Sequence, residues 1–201
     1  VPDRRTLILQ AATRVIARRG VRGLRVEELA AEAEVSTALI YYHFGDRAGL
    51  MRRTLEFISG RAERYTEPSA SVDRDPRARL KQMLLLELQE VPAVVENSIA
   101  WGELRATAVF ESELREQIRD STQEWNAYAA ELIGRAQEAG TVDREVSAAD
   151  AAERLTTLVE GLSERWLSGS LSLERARALL RGAFAAELRP PVRPDPATAD
   201  G

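Results

Sequence analysis

The chain has 201 residues, 28 basic and 32 acidic, for a net charge of −4, with one histidine and no cysteine. Lacking cysteine, it has no disulfide framework and no thiolate chemistry, and a single imidazole excludes a multi-histidine metal site. The purely apolar runs, such as Met83–Leu86, fall far short of the roughly 18 residues that a membrane span needs. Arg14 interrupts the apolar stretch near the N-terminus, so no secretory signal is read and a cytoplasmic location is expected.

Alanine, leucine, glutamate and arginine fill 105 of the 201 positions, and the prolines leave 3–67 and 93–189 untouched. These four types are strong helix formers, so the expected fold class is all-α, with about nine helices along the chain. Charge is unevenly placed: residues 1–54 carry ten arginines against six acids, net +4, and residues 55–201 are net −8. A basic segment on an acidic body suggests a module that faces a polyanion, although arginine-rich solvated faces are also common.

Leu7, Ala11, Val15 and Ile16 recur at helical spacing over 3–19, and Gly20 ends that helix. Val26, Leu29, Ala30 and Ala33 give a short second helix. Ser36 and Thr37 offer an N-cap to a third, Thr37–Phe44, closed by Gly45. Asp46 caps a fourth, reaching about Tyr65 with Leu50, Met51, Leu55 and Ile58 inward. Residues 67–76 read as a boundary loop. Leu80–Glu90 is helical, and Pro92 either kinks it or opens a new helix. Leu114, Ile118, Trp125, Tyr128, Ala129, Leu132, Ile133 and Ala136 line one long helix up to Gly140. Two further helices follow, about 148–167 and 172–188, before a proline-rich tail, 189–201, expected to be disordered.

The most specific signal is VEELAAEAEVSTALIYYHF, residues 26–44. Two short helices meet at a tight turn, with Ala30 small enough for a close crossing and Val35 plugging the corner. This is a helix-turn-helix pattern, whose second helix enters the DNA major groove. Ser36, Thr37 and Ala38 would then face bases and phosphates, with Tyr41, Tyr42 and His43 reaching the flanking backbone or thymine methyls. Arg47, behind the Asp46 cap, would sit beside the next phosphate.

The string VEELAAEAEVS followed by TALIYYHFGDRAGL resembles the DNA-binding domain of the tetracycline-repressor (TetR) family of transcriptional regulators. The resemblance implies a helix-turn-helix domain over 1–48, a connecting fourth helix over 46–65, and a ligand-binding and dimerisation domain over 49–188. Three positions depart from the family pattern. Arg25 stands where Ser or Thr usually caps the second helix, leaving it free for a phosphate. Glu34 occupies a turn position usually held by Gly, and Arg47 replaces the usual lysine. In such a protein the central helices build the effector pocket, which points to Asn97, Trp101, Glu103, Arg105, Phe110, Trp125 and Tyr128; the same aromatics can equally fill core. The last two helices would form the dimer interface through Ala151, Ala152, Leu155, Leu162, Leu173, Ala176, Leu180, Ala183 and Phe184, or else an intramolecular hairpin.

The implied partners are a double-stranded DNA operator, a small, largely apolar effector and a second copy of the chain, with no cofactor, metal or membrane. The family default is a repressor that binds a palindromic site as a dimer. An enzyme is disfavoured, because the lone His43 lies in the DNA-reading helix and Glu28 and Glu32 read as a solvated pair. A helical adaptor that binds only protein remains the alternative.

Overall fold

Why helices start and stop where they do is settled mainly by caps. The computed structural model describes residues 3–66 and 75–191, and among them the chain is nine α-helices with no strand. These are α1 (Arg4–Arg19), α2 (Val26–Glu32), α3 (Thr37–Phe44), α4 (Arg47–Thr66), α5 (Pro76–Leu86), α6 (Pro92–Ala108), α7 (Ser112–Glu138), α8 (Ala148–Leu167) and α9 (Leu173–Glu187). Asp3 accepts from Thr6 N at 2.7 Å, Ser36 from Leu39 N at 3.2 Å and Asp46 from Gly49 N at 2.6 Å. Ser147 and Ser172 do the same for α8 and α9. Each side-chain oxygen satisfies an amide that has no partner within its helix. Pro76 and Pro92 occupy the first helical turn, where a missing N–H costs nothing. Pro92 therefore opens a new helix, and α5 stops at Leu86, short of the expected Glu90. The expected disordered tail lies outside the described residues beyond residue 191, as do residues 67–74 of the boundary loop.

Two apolar cores organise the helices. The first joins α1–α4 to Ala100, Leu104 and Ala108 of α6 and to Leu114 and Ile118 at the start of α7. The second joins α5, the later part of α7, α8 and α9. Helix α1 is buried more widely than one stripe: Ile8, Leu9 and Ala12 join Ala11, Val15 and Ile16, while Leu7 is only half-buried. The cause is that α2 and α4 cover one side and α6 another.

The second core corrects the expected dimer surface. Ala151, Ala152, Leu155, Leu162, Ala176, Leu180 and Phe184 are all buried within the single chain. Their apolar stripes are already consumed by α5 and α7, so these side chains have no surface left for a second copy. Leu173 and Ala183 are half-buried at the edge of that core.

The α2–α3 turn is a Schellman closure. Val35 N donates to Ala30 O at 2.9 Å and Glu34 N to Ala31 O at 3.2 Å. This geometry puts Glu34 at φ 54°, where a side chain is strained and glycine is not. Left-handed backbone at a non-glycine residue costs about 1–3 kcal/mol. Glu34 is exposed, so glycine would relieve that strain without losing packing, offset in part by a more flexible unfolded chain. Glu34→Gly is expected to stabilise the fold by about 1 kcal/mol, a rise of about 2–4 °C in the thermal midpoint at this chain length. A calorimetric scan in which the midpoint falls would show that the turn carries no such strain.

Candidate functional site

Helix α3 divides its residues sharply. Ile40 and Phe44 are buried, while Ala38, Tyr41 and Tyr42 face solvent, Tyr42 at 82% exposure. An aromatic side chain left that open does no work for the fold. Ser36 is exposed and serves as the N-cap; Thr37 and His43 are half-buried, and His43 lies edge-on to Tyr42 with ring centroids 5.3 Å apart. Arg25 is exposed and gives α2 no side-chain cap.

The charge of this segment is less free than its arithmetic suggests. Arg14 and Arg18 pair with Glu32 at 2.8 and 2.6 Å, and Arg19 pairs with Glu28 at 2.7 Å, clamping α1 to α2. The hydrogen bonds from Arg18 and Arg14 hold the Glu32 carboxyl below the usual carboxylate range. Arg52 and Arg53 also pair with acids. Among the described residues Arg4, Arg5 and Arg25 form no ion pair. Arg47 is exposed, yet its Nη2 donates to the Val21 carbonyl at 2.6 Å, making it a strut inside the domain as well as a surface cation.

Val21 is held from the other side too. Its N–H donates to Glu103 Oε2 at 3.2 Å, from α6. The same carboxylate crowds Gly20, where an added Cβ would lie 2.7 Å from Oε2. Glu103 is thus a link to the α1–α2 loop, and the cavity described next does not include it.

That cavity, of about 200 Å³, lies among α4, the end of α5, α6, α7 and α8. Asn97, Trp101, Arg105, Trp125 and Tyr128 line it, as expected. Phe110 does not: it sits beyond the end of α6, 76% exposed, beneath the Arg22 guanidinium at 5.9 Å. Helical phase excludes Glu103, and the end of α6 at Ala108 excludes Phe110. Positions 97, 101 and 105 share one row of α6, and Glu103 falls off it.

The lining holds more acid than the sequence reading named. Glu87, Glu124, Glu160 and Glu164 face one arginine, Arg105. Arg105 is already paired with Glu160, donates to Thr122 Oγ1 at 3.1 Å and stacks over Trp101 at 5.3 Å. Burial raises the Glu160 carboxyl, opposed by Arg105. Deeper, Asn97 Nδ2 donates to Tyr65 Oη at 3.3 Å, and Tyr65 O–H donates to Glu87 Oε2 at 3.0 Å. Burial pushes Glu87 up to about 7, with the Glu160 charge adding to it and the Tyr65 hydrogen bond opposing it. Burial and Glu87 likewise push the Tyr65 phenol well above its usual range. Three buried polar atoms on this lining have no partner: Asn97 Oδ1, Arg105 Nε and Ser163 Oγ. Orphaned buried polar atoms in a cavity are the anchors that a polar ligand would satisfy.

A helix-turn-helix with an exposed aromatic face, joined through α6 to a helical body with a polar cavity, defines a DNA-binding regulator. The description "Bacterial regulatory proteins, tetR family" matches residues 8–54, and "BetI-type transcriptional repressor, C-terminal" matches residues 76–189. A crystal structure of a TetR-family transcriptional regulator from Rhodococcus sp. is 44% identical, with a TM-score of 0.86 over 92% of this chain and 98% of that one. A transcriptional regulator from Saccharomonospora viridis, in complex with choline, is 26% identical with a TM-score of 0.81 over 92% of this chain and 96% of that one. The regulator BetI of Burkholderia mallei is 27% identical over 172 residues, 85% of this chain and 84% of its own. The chain belongs to the TetR family of transcriptional regulators. Among the described residues no helix is long and apolar enough to cross a membrane.

The Glu87 carboxyl gives the fold a pH dependence of known sign. Its folded value, about 7, lies above the ordinary 4.5, so its contribution is fully present below pH 4.5 and is lost as pH rises through 7. The cost to the unliganded fold above pH 7 is about 3 kcal/mol. Glu87→Gln is therefore expected to raise the denaturation midpoint at pH 8 and to leave it nearly unchanged at pH 4.5. Equal effects at the two pH values would show that Glu87 does not titrate in this range.

Proposed function

We propose that this regulator binds an operator as a dimer through α3 and that a small quaternary-ammonium cation, filling the α4–α8 cavity, releases it. The observation that carries the reading is the lining: four carboxylates, one arginine already paired, and the rings of Tyr65, Trp101, Trp125 and Tyr128. A quaternary ammonium offers no hydrogen bonds and is recognised by aromatic faces and by negative charge. The rings match the expected apolar surface of the pocket; the carboxylates favour a cation over a largely apolar effector. The cavity of about 200 Å³ is below the roughly 300–1,000 Å³ of drug-sized sites, which suits a ligand of few heavy atoms. The choline complex of the Saccharomonospora relative supports the same class.

On the DNA side, Ala38 and Thr37 read base edges, Tyr41, Tyr42 and His43 meet the flanking backbone, and Ser36, Arg25 and Arg47 contact phosphates. Pairing of two such readers about 34–36 Å apart fits a palindromic site. The dimer surface is the outer face of α8 and α9, where Leu158, Gly161, Leu179, Gly182 and Ala183 are exposed or half-buried. Open space surrounds Gly161 and Gly182, which permits close helix approach across a four-helix contact. The BetI-type match of the second half supports repression as the sign of regulation. The cation acts by favouring a conformation that binds DNA less well, since only differential affinity shifts such an equilibrium.

Binding is tested by anisotropy of a labelled duplex taken from upstream of the protein's own gene, against a random duplex, over a range of salt. Expected are salt-sensitive binding to the upstream duplex, a sedimenting complex with two chains per duplex, and release by choline chloride beyond that caused by equal sodium chloride. Tyr42→Ala should weaken binding at least about fivefold, the cost of losing a contact of 1–3 kcal/mol, with no change in melting. Equal release by the two salts would refute the cation reading. One chain per duplex would refute the dimer, and no preference for the upstream duplex at any salt would favour the protein-binding adaptor.

Glu103 carries the message. Glu103→Ala should bind DNA and choline separately but lose most of the choline-induced change in DNA affinity, a coupling of about 1–3 kcal/mol in such systems. An unchanged ratio of DNA affinities with and without choline would exclude the α6–Val21 contact as the route.

A further inference from the structure

We propose that Glu87 is the residue by which the cavity selects a cation, and that the cation enters in exchange for the Glu87 carboxyl proton. The inference rests on reading this cavity as the effector site. Glu87 is the C-cap residue of α5, where the carbonyl end of the helix already disfavours negative charge. Its one hydrogen bond comes from Tyr65 O–H on α4. Among the described residues no other group facing it supplies compensating positive charge. From α6, Asn97 donates to Tyr65 and Ile58 O, and Arg105 is committed to Glu160 and Thr122. From α7 come Glu124 and Tyr128, and from α8 Glu160 and Glu164. On α9, Arg177 reaches only the Leu88 carbonyl, at 2.7 Å.

Below about pH 7 a carboxyl so placed is neutral when the cavity is empty, the value of about 7 being what burial imposes. A tetraalkylammonium supplies the missing positive charge. The exchange balances: the O–H bond of the Glu87 carboxyl breaks, its electron pair stays on the carboxylate, the proton leaves to solvent, and the cation takes its place. The cavity gains no net charge, so the burial penalty that keeps an isolated carboxylate protonated is not incurred. A neutral isostere of the same shape cannot drive this step. Asn97 Oδ1, 2% exposed as a residue and without a partner, is left to accept a hydroxyl from the ligand.

Two consequences distinguish this device from a permanently ionised anchor. Affinity for a permanent cation falls about tenfold per pH unit below the carboxyl's own value and is flat above it. Each binding event at low pH also releases close to one proton.

The test is titration calorimetry of choline into the full chain at pH 6, 7, 8 and 9, in phosphate and in Tris, whose different ionisation heats count released protons. Choline does not titrate in this range. Expected are affinity rising between pH 6 and 8, about one proton released at pH 6 and almost none at pH 9. The neutral isostere 3,3-dimethylbutan-1-ol should bind weakly with no proton release. Glu87→Gln, which mimics the neutral carboxyl and keeps the acceptor for Tyr65, should fold and melt cooperatively, with a midpoint at pH 8 above that of the parent, lose at least tenfold in choline affinity at pH 8 and lose the pH dependence. Glu160→Gln should retain it. No choline binding at any pH would overturn the effector reading itself. Binding with flat pH dependence and no proton release would overturn the exchange and leave that reading standing. A pH dependence that survives Glu87→Gln but disappears in Glu160→Gln would overturn the assignment to Glu87. The wild-type proton count needs no variant, so misfolding of Glu87→Gln would not shield the proposal.

Discussion

Everything in this molecule turns on α6 being shared between two environments. One row of its side chains, Ala100, Leu104 and Ala108, is sealed into the core that holds the DNA-reading helices. The neighbouring row, Asn97, Trp101 and Arg105, forms a wall of the cavity. Close-packed cores transmit displacement because they do not compress. A ligand that repositions the second row therefore cannot leave the first unaffected. The two cores are distinct, but one rigid rod belongs to both their surroundings.

The cavity itself is an arrangement of uncompensated charge. Its carboxylates outnumber its single arginine, and that arginine is spent on Glu160. Buried ionic groups are costly unless paired. Glu124 and Glu164 are open to solvent, so the cost falls on the half-buried Glu87 and Glu160, and on the proposed reading a cation of the right size would offset it. The site is thereby less stable alone than a plain apolar core would be, and that difference is available to bias a conformational equilibrium.

The N-terminal half was legible in the sequence because its signals are local. Ser36, Gly45 and Asp46 act within a few residues, and α3 and α4 appear where their caps place them. The strain at Glu34 could be read as well, since the turn type dictates φ whatever residue occupies it. The cavity was only partly legible. Asn97, Trp101 and Arg105 were recognisable as one face, but Glu87 and Glu160 look like ordinary surface glutamates until neighbouring helices cover them. The proximity of Tyr65 and Glu87 depends on how α4 meets the end of α5, which no local pattern encodes. Most of the residues expected at a dimer surface turn inward for the same reason: an apolar stripe reports that something covers it, not whether the cover belongs to the same chain.

The grip on Val21 has a consequence for how this protein can change over evolution. Glu103 and Arg47 take hold of the N–H and C=O of residue 21, not of its side chain. Any amino acid except proline presents those two groups identically. The joint between the α1–α2 loop and its two holders is therefore written in main chain at one end and side chain at the other. Residue 21 is free to vary among apolar types that fill its buried site, while its two holders are not. Drift at the loop would leave the joint intact, whereas a single change at position 103 would cut one of its two fastenings without touching either binding surface.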